Sequence, residues 1–429
     1  MTYCAIDFGT SNSALALPLQ GERLRASRGS DTNNRSSLIA LEGEYQTLPT
    51  AVFFNADEHR QVFGRAAIAE YIDGYDGRLM RSLKSILGSP LALGATEIGD
   101  GSAMPFLDII ALFLGHLLKA ARAQSGDTVQ QAVLGRPVFF VDDDPKADAQ
   151  AQAQLEAAAR SVGLRDVVFQ YEPIAAAFDY ESRLQEEQIV LVVDIGGGTS
   201  DFSLVRVGPQ RVANLDRRED VLGHNGVHVA GTDIDKRVAL ASVMRELGYR
   251  STDIEGREVP NRVYFDLSTW HLVNTIYSAK RIGEFKLMRH IFTDEAYPSR
   301  LERVFDHRLG HAMIGLAERA KIAVSAGGET TIDLDVVEDD LRTGFDADRL
   351  SAASAEETQR IVAAALETAR QAGVRPADVA ALYFTGGSTG LKFLSSAIGA
   401  AFPAAQAVHG DPLASVAKGL GIYAERVFG

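Results

Sequence analysis

Residues Ile189-Val190-Leu191-Val192-Val193-Asp194-Ile195-Gly196-Gly197-Gly198-Thr199-Ser200-Asp201, continuing through Phe202 to Val207, decide the reading of this chain. An apolar strand ends in a carboxylate, turns on three glycines and returns as a second strand, which predicts a hairpin. Working outward, the same grammar occurs at the N-terminus. Tyr3-Cys4-Ala5-Ile6-Asp7-Phe8-Gly9-Thr10-Ser11-Asn12 leads into the alternating run Ser13 to Leu19. Two copies at about half-chain spacing imply two related lobes that face each other, with the site between them.

Glycine at such a turn lets successive N–H groups converge, and this nest holds a phosphate without a lysine. Asp7 and Asp194 stand at the mouths of the two turns and would repel that phosphate, so a cation between them is expected. Magnesium, which keeps most of its water shell, is the economical choice. A third turn, Gly386-Gly387-Ser388, would admit a flat base or ribose close to backbone. Three turns together point to a nucleotide carrying several phosphates.

Between these turns, strand and helix alternate. Ala132 to Leu134 and Val138 to Val141 read as strands flanking Pro137, a helix is expected from about Lys146 to Val162, and Val167 to Tyr171 as a strand. Glu172 precedes Pro173, so it is placed at a strand-to-helix junction. Ala380 to Thr385 reads as a strand, Leu391 to Ala401 as a helix, and the last helix is expected from about Pro412 to Arg426.

Composition sets the outer bounds. The chain has 429 residues, 46% hydrophobic and 23% charged, with 13 prolines, which is ordinary for a globular protein of two to four folding units. A net charge of -14 disfavours nucleic acid and anionic lipid as partners. A single cysteine and an early Asp7, where a leader would be apolar, point to the cytoplasm. The longest apolar run, Phe106 to Leu118, carries Asp108 and His116 and is too short to span a bilayer.

Familiar alternatives fail on their own terms. No Gly-Lys dipeptide is present, hence no Walker-type loop, and no glycine turn completes a dinucleotide fingerprint. Gly386-Gly387-Ser388-Thr389-Gly390 fits the nucleophile-elbow pattern, but His409 precedes Asp411, the reverse of a hydrolase of that fold. His224, His228 and Asp233 read as loop residues rather than metal ligands, with no fourth ligand in view.

At these residues the chain resembles the actin, hexokinase and heat-shock ATPase superfamily, and within it the ATPase domain of the heat-shock protein 70 (DnaK) family, especially short YegD-like members. The motifs are Asp7 to Asn12, Val193 to Asp201, Glu172-Pro173-Ile174-Ala175-Ala176-Ala177, Gly231-Thr232-Asp233-Ile234-Asp235, Glu318 to Ser325 and Phe384 to Thr389. The resemblance implies an α/β fold of two duplicated actin-like, ribonuclease H-like lobes, each with an inserted subdomain, and a nucleotide cleft between them. Lobe I would be 1–185 with an insert near 46–104, and lobe II 186–410 with an insert near 236–317. Residues 411–429 would return to lobe I as a helix.

By the same resemblance, Asp7 and Asp194 hold Mg2+ through water, and Gly9, Thr10, Ser11, Asn12, Gly196, Gly197, Gly198 and Thr199 surround the phosphates of ATP or ADP. Glu172 and Asp201 position the attacking water, with Asp194 and Lys84 completing the catalytic set. Gly231, Glu318, Lys321, Ser325, Gly386, Gly387 and Ser388 would line ribose and adenine, and Pro137 would relay nucleotide state between lobes. Three departures stand out. Ile322 and Gly390 replace arginines that flank adenine in many relatives, and Ser85 replaces the second base after Lys84. The family's linker, peptide-binding sandwich and lid find no counterpart up to Gly429. The expected function is therefore a slow, magnesium-dependent ATPase acting as a chaperone-like switch on a protein client or co-chaperone, without a peptide clamp. A small-molecule kinase and an actin-like filament protein are the alternatives. Stimulation by a sugar would mark the first, and nucleotide-dependent sedimentation the second.

Overall fold

Both glycine turns close hairpins. The computed structural model describes residues 2–19, 36–99, 101–142, 144–411 and 414–429. β1 (Thr2–Phe8) and β2 (Asn12–Pro18) run antiparallel, with Asp7 opposite Ala14. β3 (Ser36–Leu38) and β4 (Thr47–Pro49) both pair with β2. The chain then leaves this sheet for a separate three-stranded one, β5 (Ala51–Asn55), β6 (Arg60–Phe63) and β7 (Gly77–Arg81), with helix α1 (Gly64–Asp73) between β6 and β7. A short hairpin, β8 (Ala95–Glu97) and β9 (Ala103–Pro105), leads into α2 (Phe106–Ser125). α2 buries Ile109, Ile110, Phe113, Leu114 and Leu117, a helical stripe that explains the longest apolar run as core. No helix among the described residues is long and apolar enough to cross a membrane.

β10 (Val129–Arg136) returns parallel beside β1, and after α3 (Pro145–Ser161) β11 (Asp166–Tyr171) adds parallel beside β10. α4 (Glu172–Glu181) follows without a loop, as the Glu172-Pro173 junction requires. The stretch Val138 to Val141 is irregular rather than a strand. Pro137 has no N–H for a ladder, and the segment is held by side chains instead. The Phe140 N–H donates to Asp148 (2.6 Å), and the Arg136 guanidinium donates to the Val138 carbonyl (3.1 Å).

The second sheet repeats the first in order and direction. β12 (Gln188–Ile195) and β13 (Ser200–Val207) form the hairpin, β14 (Val221–Val227) extends it antiparallel, and β17 (Ala381–Thr385) and β18 (Gln406–His409) add parallel on the other side. The order β11-β10-β1-β2-β3 is thus matched by β18-β17-β12-β13-β14. Between β14 and β17 lie the helices α5 (Gly231–Ala241), α6 (Val243–Glu246), α7 (Arg262–Leu267), α8 (Ala279–Met288), α9 (Ala296–Asp306) and α10 (Gly310–Val324). The hairpin β15 (Glu329–Asp333) and β16 (Arg342–Asp346) and the helices α11 (Ala347–Ala353) and α12 (Ala355–Gln371) complete that stretch.

α13 (Lys392–Ala401) separates β17 from β18, and α14 (Ser415–Phe428) ends the chain. Pro412, expected at the start of the last helix, lies outside the described residues. α14 packs against α4 and strands of the first sheet, so Val416, Ala417 and Leu420 share one core with Ala5, Ala16, Ile174 and Ala177. Val190, Val192 and Tyr383 of the second sheet close that core from the opposite side. Two helices sandwiched between two sheets hold the carboxylate ends of β1 and β12 in fixed relation.

Candidate active site

Asp7 lies at the end of β1, and Asp194 near the end of β12 pairs across the hairpin with Asp201. Antiparallel partners share a face, so Asp194 and Asp201 project together. Glu172 is the first residue of α4. Lys84 sits in a 3-10 turn, Leu83–Ile86, entered through Ser82 at φ 54, a left-handed conformation that costs a serine energy and points to an enforced orientation. The buried Lys84 ammonium is ion-paired with Glu172.

The electrostatics tie these elements to one place. Burial pushes the Asp7 carboxyl up to about 8, Glu172 and Asp194 adding to the rise while Lys84 opposes it. Asp194 is raised to about 7 by burial, then by Asp201 and Glu172, again with Lys84 opposing. For Lys84, burial pulls the pKa down, but Glu172, Asp7 and Asp201 outweigh it and leave it raised. Four carboxylates around one lysine form a site short of positive charge. The carboxylates of that set suit a divalent cation, and no group of three or more His, Cys, Asp or Glu placed to ligate a metal directly is found among the described residues.

The two glycine turns meet. A Cβ built on Gly197 would lie 3.2 Å from Ser11 Oγ, so the Gly9-Thr10-Ser11 turn and the Gly196-Gly197-Gly198 turn approach within side-chain contact. Each is braced from behind. Thr50 Oγ1 donates to the Gly9 carbonyl (2.7 Å), and the Thr50 N–H to the Ser11 carbonyl (2.9 Å). Thr232 gives both its N–H and its hydroxyl to the Gly197 carbonyl, each at 2.8 Å, and Ser388 Oγ donates to the Gly196 carbonyl (2.8 Å). With those carbonyls turned back into the protein, the Gly197 and Gly198 N–H groups have no partner among the described residues. They form the kind of nest that takes an anion. Gly386 has φ 85, and a Cβ there would collide with the Asp194 carboxylate and the Ile195 carbonyl. Only glycine lets the third turn lie against the second strand's carboxylate.

The remaining candidates are placed less uniformly. Gly231 opens α5, and its N–H donates to the Gly196 carbonyl (3.3 Å). Thr10, Asn12 and Thr199 are half-buried on the turns, while Gly387 and Glu318 are exposed. Lys321 is buried and ion-paired with Asp235 at 2.6 Å, and Ser325 Oγ donates to its own helix at the Ile322 carbonyl (2.8 Å). Ile322 and Gly390 are both exposed. Ser388 is not a nucleophile elbow, because its hydroxyl is spent on Gly196, and His409 stacks on Phe384 instead. His224 Nδ1 bonds the Ser203 hydroxyl at 3.0 Å, as a structural histidine does.

One contact had no sequence signal. Tyr71 on α1 and Arg81 on β7 meet Trp270 and His311, which follow α7 and open α10. The Arg81 guanidinium lies 4.3 Å over the Trp270 ring, and Trp270 and His311 are 5.1 Å apart. His311 Nε2 donates to Asn274 Oδ1 (3.2 Å). These residues join the two stretches that lie farthest from the paired sheets in topology. Aromatic residues scattered over more than two hundred positions reveal no such meeting until the chain is folded.

A family model described as Hsp70 protein matches residues 95–244, a span that contains the Glu172 junction, the second carboxylate and glycine hairpin and the Gly231 helix start. Over that span the chain is similar to the Hsp70 family.

Proposed function

We propose that this protein is a magnesium-dependent ATPase of low turnover whose lobes close on nucleotide and serve as a conformational switch for a protein partner, in the manner of a short YegD-like member. The similarity to the Hsp70 family over residues 95–244 supports an ATP-binding, chaperone-type protein. The observation that carries the finer reading is the convergence of Asp7 and Asp194, from two hairpins of matching sheets, on one lysine and one glycine nest. The matching strand order supports two duplicated lobes, about 1–185 and 186–410, bridged by the final helix.

In this reading, the N–H groups of both turns with Thr10, Ser11, Asn12 and Thr199 receive the phosphates. Gly231, Glu318, Lys321, Ser325, Gly386, Gly387 and Ser388 line the nucleoside. Asp7 and Asp194 would hold magnesium through its waters, and the ion would supply neutralisation of phosphate charge. Lys84 is buried and stays cationic, so it can meet charge on the transferring group. Glu172 and Asp201 accept hydrogen bonds from the attacking water and orient it. Lys84, paired with Glu172, also keeps that carboxylate aimed at the site. Almost all of the rate gain would come from position and charge, which suits a switch better than a fast enzyme.

Calorimetry with ATP and magnesium, followed by single-turnover hydrolysis, tests the reading. The wild type should bind and hydrolyse, and Asp194→Asn should lose about 10²-fold or more in rate. Equal hydrolysis by both proteins, or no heat of ATP binding, would remove it.

A further inference from the structure

The helices between α6 and α10 line a half-open cavity of about 220 Å³ that no part of the nucleotide reading uses. Its walls are Val263 on α7, Ile276, Phe285 and Met288 on or beside α8, and Phe305 on α9. Phe285 and Phe305 stack at 4.8 Å behind it. An apolar void of ~150 Å³ is enough to take benzene. This one has room for a larger aromatic or branched side chain.

Its mouth carries both signs of charge, with the excess of bases lying along α8. Arg262 and Arg281 line it, together with Glu284, and Lys280 follows on the flank of α8. Across 279–290 there are four lysines and arginines against one glutamate, in a chain of net charge -14. Capping does not account for this arrangement. Lys280 and Arg281 occupy the first turn of α8, where the helix dipole disfavours cations, and that turn holds no acid. Arg281 is satisfied by Asp266 and Glu284 and Arg289 by Glu302, but Lys280 and Lys286 have no ion pair among the described residues, and Arg262 reaches only Asp266, at 3.8 Å. Beside them Leu287 is 82% exposed, the most solvent-exposed of the large apolar side chains in the described chain.

We infer that this face is a docking site for an acidic segment of a partner protein that inserts one large apolar side chain into the cavity. Carboxylates of the segment meet Arg262 and Lys280, and a neighbouring apolar residue covers Leu287. The excess of bases along α8 selects an acidic partner by charge, and the cavity selects the anchor by size. The site lies outside every residue assigned to nucleotide, so it stands or falls separately from the ATPase reading.

The test uses the full chain and a fluorescein-labelled probe peptide, Glu-Asp-Glu-Phe-Leu-Asp-Glu-Glu, followed by fluorescence polarisation. Saturable binding is expected that weakens about tenfold or more when the peptide's Phe becomes Ala, and similarly when its acids become Lys. Lys280→Glu combined with Arg262→Glu, both exposed changes, should give the same loss while heat of ATP binding stays at the wild-type value. Met288→Trp should fill the cavity and abolish the Phe dependence. Should that variant fail to fold, the charge-reversed protein still decides. The inference is overturned by no saturable binding, by equal affinity for the Phe, Ala and Lys peptides, or by unaltered binding to the charge-reversed variant. It is also overturned if toluene saturates the site with no peptide bound, or if sedimentation shows self-association that Lys280→Glu abolishes while the peptide does not bind. Loss of ATP binding with peptide binding intact would count against the ATPase reading alone.

Discussion

Asp7 and Asp194 are carboxylates that the fold holds partly protonated near neutral pH, because enclosure and neighbouring acids outweigh Lys84. In the unfolded chain each releases its proton near pH 4. Between about pH 4 and pH 8 the folded state therefore binds more protons than the unfolded state, and stability falls as pH rises through that window. Asp194→Asn removes one of these groups. In the nucleotide-free protein without divalent cation, this variant should have the higher Tm at pH 8, by about 1 °C for each kcal/mol relieved, and should match wild type near pH 4. Scanning calorimetry at the two pH values checks it. A lower Tm at pH 8 would mean that the carboxylate is stabilising where it stands.

At the scale of elements, two contacts fix how the halves meet. The first is Arg217, fully buried in the segment between β13 and β14, which binds Glu181 at the end of α4 (2.8 Å) and is ion-paired with Asp220. Arg211 reaches the same Asp220. Removing one partner leaves buried charges uncompensated, so Arg217→Ala should cost about 3–5 kcal/mol in urea unfolding. A loss under about 1 kcal/mol would show that water replaces the guanidinium.

The second contact is the cluster of Arg81, Tyr71, Trp270 and His311. A guanidinium over an indole contributes about 0.5–2 kcal/mol, depending on how far it is desolvated. If opening of this contact accompanies nucleotide release, Arg81→Ala should speed release of labelled ADP about 2- to 30-fold in stopped flow. Trp270, the single tryptophan, reports the same opening by its emission. An unchanged release rate would show that the contact carries none of the closure energy. His311, held neutral down to about 4 by burial and by Arg81, adds no second positive charge beside Arg81 at physiological pH.

At the scale of the whole molecule, a ligand seated between two sheets that share a helical core should tie the two units together. Binding to the folded state alone contributes about 2.7 kcal/mol at a ligand concentration one hundred times Kd. For a chain of this size that is a rise in Tm of about 3 °C. Thermal scans with ATP and magnesium should show that rise, and ATP with chelator much less of it, since the two aspartates would then face the phosphates without a cation. Equal shifts in both conditions would argue against Asp7 and Asp194 as the magnesium carboxylates.

Much of this was written in local sequence. The hairpins follow from alternation ending in Asp and Gly, because a β-turn and its strands are specified within ten residues. Glu172 at its junction follows from Pro173, whose ring forbids most other geometries. Val138 to Val141 is apolar enough to read as a strand, but Pro137 and the Arg136–Asp148 pair decide its backbone. The meeting of Ser11 with Gly197, the engagement of Lys84 by Glu172, the burial of Arg217 and the face of Trp270 toward Arg81 were decided only in three dimensions. Each depends on partners brought together from distant parts of the chain, and Coulomb and packing energies depend on distance through space, which local sequence patterns do not encode.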